Sequence, residues 1–449
     1  MNPNLSRQRG AIAIMVAVSM FVLLAVVGLC VDAGLAYLVK ARLNAAVDSA
    51  ALAGARAVTT GNNQTEQIAS ARAAAADFFA ANIPNNYLLS SPRITSTNVT
   101  FNAGQATIDV VAEAPMPVSI MQIMNFTTLT PVAAAQTIRN DLDMALVIDT
   151  SRSLLGSAST VRASAKSFLN KFNVTQDRVA LVHFASGVET DIPINPLARG
   201  FNRASMNSKI NAYNFDGGTS SFEGMYKARE QLNTVPLANR STMRVVVFFS
   251  DGAPTSFGSY LTFNTPTDCT RAGSVDRILR EGGLGNLGSS DFDFISEGCK
   301  TWRTVNNKDQ PAVRRLPDWY NARPESVREF PIVTTTPRVV TADISTPQLF
   351  EGNILRASRN LAESIAAKTR SEGVYVFTLG FGPGLKEAFS SDTSTNGEMI
   401  MKCMANTVDA LPRCQKPDQP VGMYCYAATD ADLTPCFSRL ASAILRITK

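Results

Sequence analysis

From Met144 onward the chain alternates short apolar runs with amphipathic stretches, and that alternation confines it to one broad architecture. The apolar runs fall at 144–148, 178–184, 244–249 and 374–380, and helical periods fall near 157–172, 202–212, 220–233, 352–370 and 433–447. Runs this short and continuously apolar read as strands buried on both faces. A helix between successive runs is the crossover that parallel strands require. The expected class is therefore α/β, with a mainly parallel, Rossmann-like sheet.

Open sheets of this kind bind ligands beyond the carboxyl ends of their strands. Three such places carry oxygen-bearing side chains. Asp149-Thr150-Ser151-Arg152-Ser153 follows the run Met144 to Ile148, Thr219 follows Gly217-Gly218, and Asp251 follows the run ending at Ser250. The hydroxyls of Ser151, Ser153 and Thr219 and the carboxylates of Asp149 and Asp251 make an oxygen-only donor set. That set suits a hard divalent cation, Mg²⁺ first, with Mn²⁺ or Ca²⁺ as alternatives. Two carboxylates do not exceed the cation's charge, which leaves it electrophilic toward a partner's carboxylate. Alternate residues of an extended segment share a face, so Ser151 and Ser153 face one ion if the loop stays extended. Asp-x-Ser-x-Ser alone is also an ordinary helix N-terminus. Its combination with the glycine-threonine loop and the Ser-Asp-Gly strand end selects the metal reading.

These three segments in this order resemble the metal-ion-dependent adhesion site (MIDAS) of von Willebrand factor A (vWA) domains. The resemblance covers about residues 141–449 and implies a vWA fold whose cation engages a protein ligand. One insertion interrupts it, from about 256 to 347, without sustained periodicity and carrying Cys269, Cys299, Trp302 and Trp319. Leaving just after Asp251, it belongs beside the metal face, either as a functional or disordered segment or as a decoration with no direct role.

At the other end, Ala11 to Val31 holds no charge and follows Arg7 and Arg9. That length spans a bilayer as a helix, and the basic tail favours a cytoplasmic N-terminus, slightly offset by Lys40 and Arg42 beyond the span. A cleaved signal peptide would have a shorter apolar region. Leu35, Leu38, Val39, Leu43, Ala46, Val47, Ala50 and Gly54 then form a helical stripe, either an ordinary buried face or one for a partner helix. The runs at 9–14, 31–39 and 45–55 resemble the N-terminal segment of TadG-like proteins of the Tad machinery, which builds Flp-type (type IVb-related) pili. This implies an inner-membrane, single-pass component of pilus assembly with its bulk in the periplasm. Met15 stands where prepilin processing after Gly10 would favour Glu, which argues against cleavage. The division expected is a tail at 1–9, a transmembrane helix at 10–31, a TadE/TadG-like helix with a small β region at 32–140, and the vWA domain. Within the small region, helix is expected near 64–81 and strands at 97–103, 106–113 and 128–138, with Gly104-Gln105 as a hairpin turn.

Seven cysteines include six outside the apolar helix, at 269, 299, 403, 414, 425 and 436. An even number in an exported region favours disulfides, with Cys269–Cys299 as the local pair in the insertion; the other four pair with one another or with the insertion. Cys30 reads as inert packing within the apolar helix. A net charge of +5 without a basic, aromatic-interleaved cluster excludes a nucleic-acid footprint. The single histidine, His183, lies inside an apolar strand run. With no nucleophile elbow or phosphate loop, a binding module is expected rather than an enzyme. Three readings follow: a pilus-assembly component, an envelope or surface adhesin, or a structural protein with a vestigial metal site.

Overall fold

Helix α1 (Arg9–Ala57) runs unbroken for 49 residues. The computed structural model describes residues 9–58, 60, 64–102, 105–264, 268–277, 284–288, 295–305, 308–326, 328–389 and 392–447. The chain divides into two compact units, Met1–Arg139 and Asn140–Lys449.

In the first unit, α1 changes character along its length. Ile14, Met15 and Leu23 stand 67%, 66% and 65% exposed. Bare apolar side chains all round a helix are stable in lipid, and the stretch is long and apolar enough to cross a membrane. Further along, Val39, Leu43, Ala46, Val47 and Ala50 are fully buried. They pack against α2 (Gln64–Asn82) and the sheet, so the stripe is a core face of its own unit. Leu38 does not belong to it and is 51% exposed. Five residues before Leu43, it lies about 140° round the helix from that buried line. Cys30 is likewise exposed rather than packed.

Strands β1 (Arg93–Asn102), β2 (Gln105–Glu113), β3 (Met116–Pro117), β4 (Thr128–Leu129) and β5 (Val132–Asn140) follow. They form a β1-β2-β5 sheet and a β3-β4 ribbon. Asn102 pairs with Gln105, which makes Gln105 a strand residue rather than part of the turn; Gly104 lies outside the described residues. Asp32, the first charge after the apolar run, is fully buried. Its carboxylate accepts the backbone N–H groups of Ser119, Ile120 and Met121 at 2.9, 3.0 and 2.8 Å. Three donors at the start of the Met121–Met124 turn compensate the buried charge.

The second unit opens with β6 (Leu142–Asp149), α3 (Ala158–Leu169), β7 (Arg178–Phe184), β8 (Val188–Ile192), α4 (Arg203–Asn211), α5 (Ser221–Thr234) and β9 (Met243–Ser250). Two antiparallel ribbons come next, β10 (Ser256–Ser259) with β11 (Gly273–Asp276) and β12 (Trp302–Val305) with β13 (Lys308–Pro311). The chain then returns through α6 (Pro347–Ser371), β14 (Tyr375–Phe381), β15 (Ala388–Phe389), β16 (Asp392–Asn396), α7 (Gly397–Ala405), β17 (Tyr424–Ala427) and α8 (Asp430–Ile447).

The main sheet has the order β17-β14-β9-β6-β7-β8. Its pairs are parallel except the edge hairpin β7-β8. Period-two alternation splits each central strand between two cores. Ala145, Val147, Val246 and Phe248 face one, with α5, α6 and α7. Met144, Leu146, Ile148, Val245, Val247 and Phe249 face the other, with α3, α4 and α8. Burying each of these side chains larger than alanine contributes about 1.5–3 kcal/mol.

The insertion is not structureless where it is described. Phe257, Trp302, Val313, Leu316, Tyr320, Phe330 and Ile332 are buried in the first of these cores. Three disulfides form: Cys269–Cys299, Cys403–Cys414 and Cys425–Cys436. The four C-terminal cysteines thus pair with one another.

Candidate functional site

β6 and β9 are neighbours, so their carboxyl ends bring Asp149 and Asp251 to the same edge of the sheet. Asp149 closes β6 and is fully buried. Its Oδ1 accepts the Ser151 N–H at 2.7 Å and its Oδ2 accepts the Ser250 hydroxyl at 2.5 Å. Asp149 is not the helix cap: the N-cap of the following 3₁₀ helix is Ser151, which makes no side-chain cap bond, and Asp149 instead closes an i to i+2 turn onto the Ser151 N–H. Ser151 is extended, but Arg152–Ser157 is a 3₁₀ helix. The loop does not stay extended as expected; the tight turn instead brings the Ser151 and Ser153 hydroxyls within 3.2 Å of each other. The Ser153 hydroxyl donates to Asp251 Oδ1 at 2.9 Å.

The glycine-threonine loop is pinned against this turn. Arg152 donates its backbone N–H to the Gly217 carbonyl at 3.2 Å and its Nη1 to Asp216 Oδ1 at 3.0 Å. Gly217 has φ of 86°, and a Cβ there would meet Ser186 Oγ at 2.6 Å. At Gly218 a Cβ would collide with the Asp276 carboxylate. Both positions need glycine, one for its left-handed backbone and both for close approach. Thr219 is held on both sides by Thr255, through its N–H to Thr255 Oγ1 and its carbonyl to the Thr255 N–H, each at 3.0 Å.

Ser151, Ser153, Thr219 and Asp251 line one cavity of about 490 Å³, with Gly252, Thr255, Asp276, Arg277 and Glu387 on its walls. Asp149 is not in the lining and lies beneath it. The structure thus gathers four of the five expected residues on one surface and sets the fifth under its floor. Sequence reasoning missed Asp276, Thr255 and Ser250. Asp276 comes from the inserted ribbon, accepts the Thr255 hydroxyl at 3.2 Å, and shares no motif with the others.

The electrostatics fit a cation. Neither Asp149 nor Asp251 has a basic partner among the described residues. Burial, then repulsion from Asp251, pushes the Asp149 carboxyl up to about 7. Burial also raises Asp251, to about 6, against the pull of the Ser153 hydrogen bond. One buried and one half-buried acid beside three hydroxyls, neither acid paired with a base among the described residues, are the donor chemistry a hard divalent ion requires.

His183 takes no part in this cavity. It is buried on β7, with Nδ1 2.7 Å from Asp191 Oδ2 and its ring stacked on Tyr213 at 4.4 Å between centroids.

Residues 143–278 match the family model of the von Willebrand factor type A domain. That match ends in the insertion, whereas β14 and β17 complete the same sheet beyond it. Residues 10–57 match the Flp pilus-assembly TadE/G-like family model. The chain thus joins a TadE/G-like region to a vWA domain. Among solved structures it is similar to the pilus adhesin SpaC from Lactobacillus rhamnosus GG, at 12% identity over 80% of this chain and 35% of that one, with a TM-score of 0.40. It is also similar to the vWF domain of the type V pili tip protein Mfa5 from Porphyromonas gingivalis, at 16% identity over 70% of this chain and 98% of that one, with a TM-score of 0.37. The PilB minor pilin from Streptococcus sanguinis matches at 11% identity over 80% and 79% of the two chains, with a TM-score of 0.38. The chain spans about a third of the length of SpaC. No curated protein matches it.

Proposed function

We propose that this protein is a membrane-anchored binding component of Tad/Flp pilus assembly that captures a carboxylate of a partner protein through a divalent cation. The observation that carries this reading is a pair of acids without a basic partner among the described residues, Asp149 buried and Asp251 half-buried on the cavity wall, beside three hydroxyl groups facing that cavity. Ser151, Ser153 and Thr219 would hold the ion through their hydroxyls, and Asp149 and Asp251 directly or through water. Mg²⁺ is the first candidate on donor hardness. The bound ion would supply one open position that a carboxylate completes, a directional and charge-assisted contact. The role proposed is binding rather than catalysis, with His183 serving the sheet.

The TadE/G-like region supports the pilus setting and the apolar part of α1 supports an anchor. Arg7 and Arg9 ahead of it favour an N-terminus in the cytoplasm and the bulk of the chain outside the inner membrane. Anchoring concentrates the chain at the surface where its partners are embedded.

Piliation tests the proposal. Deleting the chain is expected to reduce pili, and Asp251→Ala to reproduce the deletion at unchanged protein abundance. A fully piliated Asp251→Ala strain would detach the metal face from assembly and leave the adhesin reading, scored as surface attachment with pili counted separately.

A further inference from the structure

We propose that the tip of the β3-β4 hairpin is a second membrane contact, seated in lipid beside α1. The inference rests on the anchor reading of α1 and adds an interaction surface on the first unit. Its partner is the boundary between the headgroups and the acyl chains of the bilayer.

Depth is set by where the tip meets the helix. At about 1.5 Å per residue the uncharged run Ala11 to Val31 is about 31 Å long, the thickness of a hydrocarbon core. Gly28 then lies about 5 Å inside the end nearer Asp32. It is buried, whereas Val26, Val27, Leu29 and Cys30 around it are exposed. A Cβ at Gly28 would meet Ile120 Cγ2 at 2.5 Å, so Ile120 rests on the helix backbone there. One turn further on, Asp32 accepts the N–H groups of Ser119, Ile120 and Met121. The tip is therefore fixed to α1 across the last turn of the apolar run.

The tip suits lipid in composition and in hydrogen bonding. No charged residue occurs between Glu113 and Arg139, and the tip itself reads Ile120-Met121-Gln122-Ile123-Met124-Asn125-Phe126. Met124 and Phe126 stand 46% and 49% exposed on a hydrogen-bonded turn, where large bare apolar side chains mark a contact surface. Lipid supplies no hydrogen bonds, so polar groups entering it need partners within the protein. Beyond the three bonds to Asp32, Asn125 donates its N–H to the Gln122 carbonyl at 2.9 Å. Phe126 donates its N–H to the Met121 carbonyl at 3.3 Å, and the Gln122 side-chain amide donates to the Val118 carbonyl at 3.0 Å. Asp32 both holds the tip down and has its own charge met by the tip, at the edge of the bilayer. A second contact stops the first unit pivoting on a single helix.

Tryptophan quenching by brominated lipid tests this on the full chain reconstituted into phosphatidylcholine vesicles. The variants are Phe126→Trp at the tip and Phe21→Trp at the middle of the span, with the emission of Trp302 and Trp319 in the unsubstituted chain subtracted. Both phenylalanines are exposed, and unchanged far-UV circular dichroism would certify the fold. The added emission of Phe126→Trp should fall by roughly half in lipid brominated near the headgroup, and by less in lipid brominated near the chain ends. Phe21→Trp should show the reverse order. Quenching of Phe21→Trp without quenching of Phe126→Trp would overturn the proposal and leave the anchor standing. Quenching of neither would remove the anchor reading, and the proposal with it.

Discussion

Asp149→Asn should stabilise the metal-free protein and destabilise it relative to wild type once metal is added. In the metal-free site the carboxyl is raised from 3.8 to about 7 by burial and by Asp251. A group whose folded pKa is raised imposes no penalty below its unfolded pKa; the penalty grows as pH climbs toward the folded value. Three units correspond to roughly 4 kcal/mol as a ceiling, and coupling to Asp251 reduces this to about 1–3 kcal/mol. Asparagine keeps the local bonds. Its oxygen can accept the Ser151 N–H, its amide can donate to Ser250 Oγ, and the Ser250 hydroxyl can turn to the Gly252 carbonyl, already 3.2 Å away. Both tryptophans, Trp302 and Trp319, lie in the second unit, so their fluorescence follows its melting in the full-length protein. At about 2 °C per kcal/mol, metal-free Asp149→Asn should melt about 2–6 °C above wild type near pH 7.5, and the gap should close by about pH 4. Saturating Mg²⁺ should raise wild type by roughly 3 kcal/mol equivalent at a hundredfold excess over Kd and leave the variant unmoved. A metal-free variant less stable than wild type at neutral pH, or equal metal shifts in both, would refute the reasoning.

Gly218→Ala should lose metal-induced stabilisation while retaining secondary structure, since a Cβ there collides with the Asp276 carboxylate; Mg²⁺-dependent melting by circular dichroism checks it. Reducing the Cys403–Cys414 and Cys425–Cys436 bonds, each closing a separation of 11 residues, should cost about 3 kcal/mol apiece in urea unfolding. Protease added to spheroplasts should degrade the bulk of the chain and spare a short N-terminal fragment, whereas full protection of residues 141–449 would reverse the orientation.

The sheet and its ligand edge were legible because the central strands are continuously apolar and the polar oxygens begin where those runs stop, as at Ile148-Asp149 and Ser250-Asp251. β17 and α7 carried too weak a signal. Tyr424–Ala427 is four residues with polar tips, and Gly397–Ala405 barely exceeds two turns. The antiparallel strand β8 is half-exposed and mixed in polarity, as edge strands are. The insertion hid its packing because its buried residues are spaced irregularly, with long-range partners in place of a period. Asp276 escaped for the same reason, since only the β10-β11 pairing, Ser256 opposite Asp276, returns it to the cavity. Ser153 reaches Ser151 through a 3₁₀ turn rather than an extended loop, a conformation that the Asp-x-Ser-x-Ser spacing alone does not specify.

Calorimetric titration of the metal-stripped full chain with Mg²⁺ and with Mn²⁺ tests the cation site most directly. One ion should bind per chain, and Asp149→Ala should abolish binding. Equal binding by that variant would contradict the assignment of Asp149, Ser151, Ser153, Thr219 and Asp251 as the metal site.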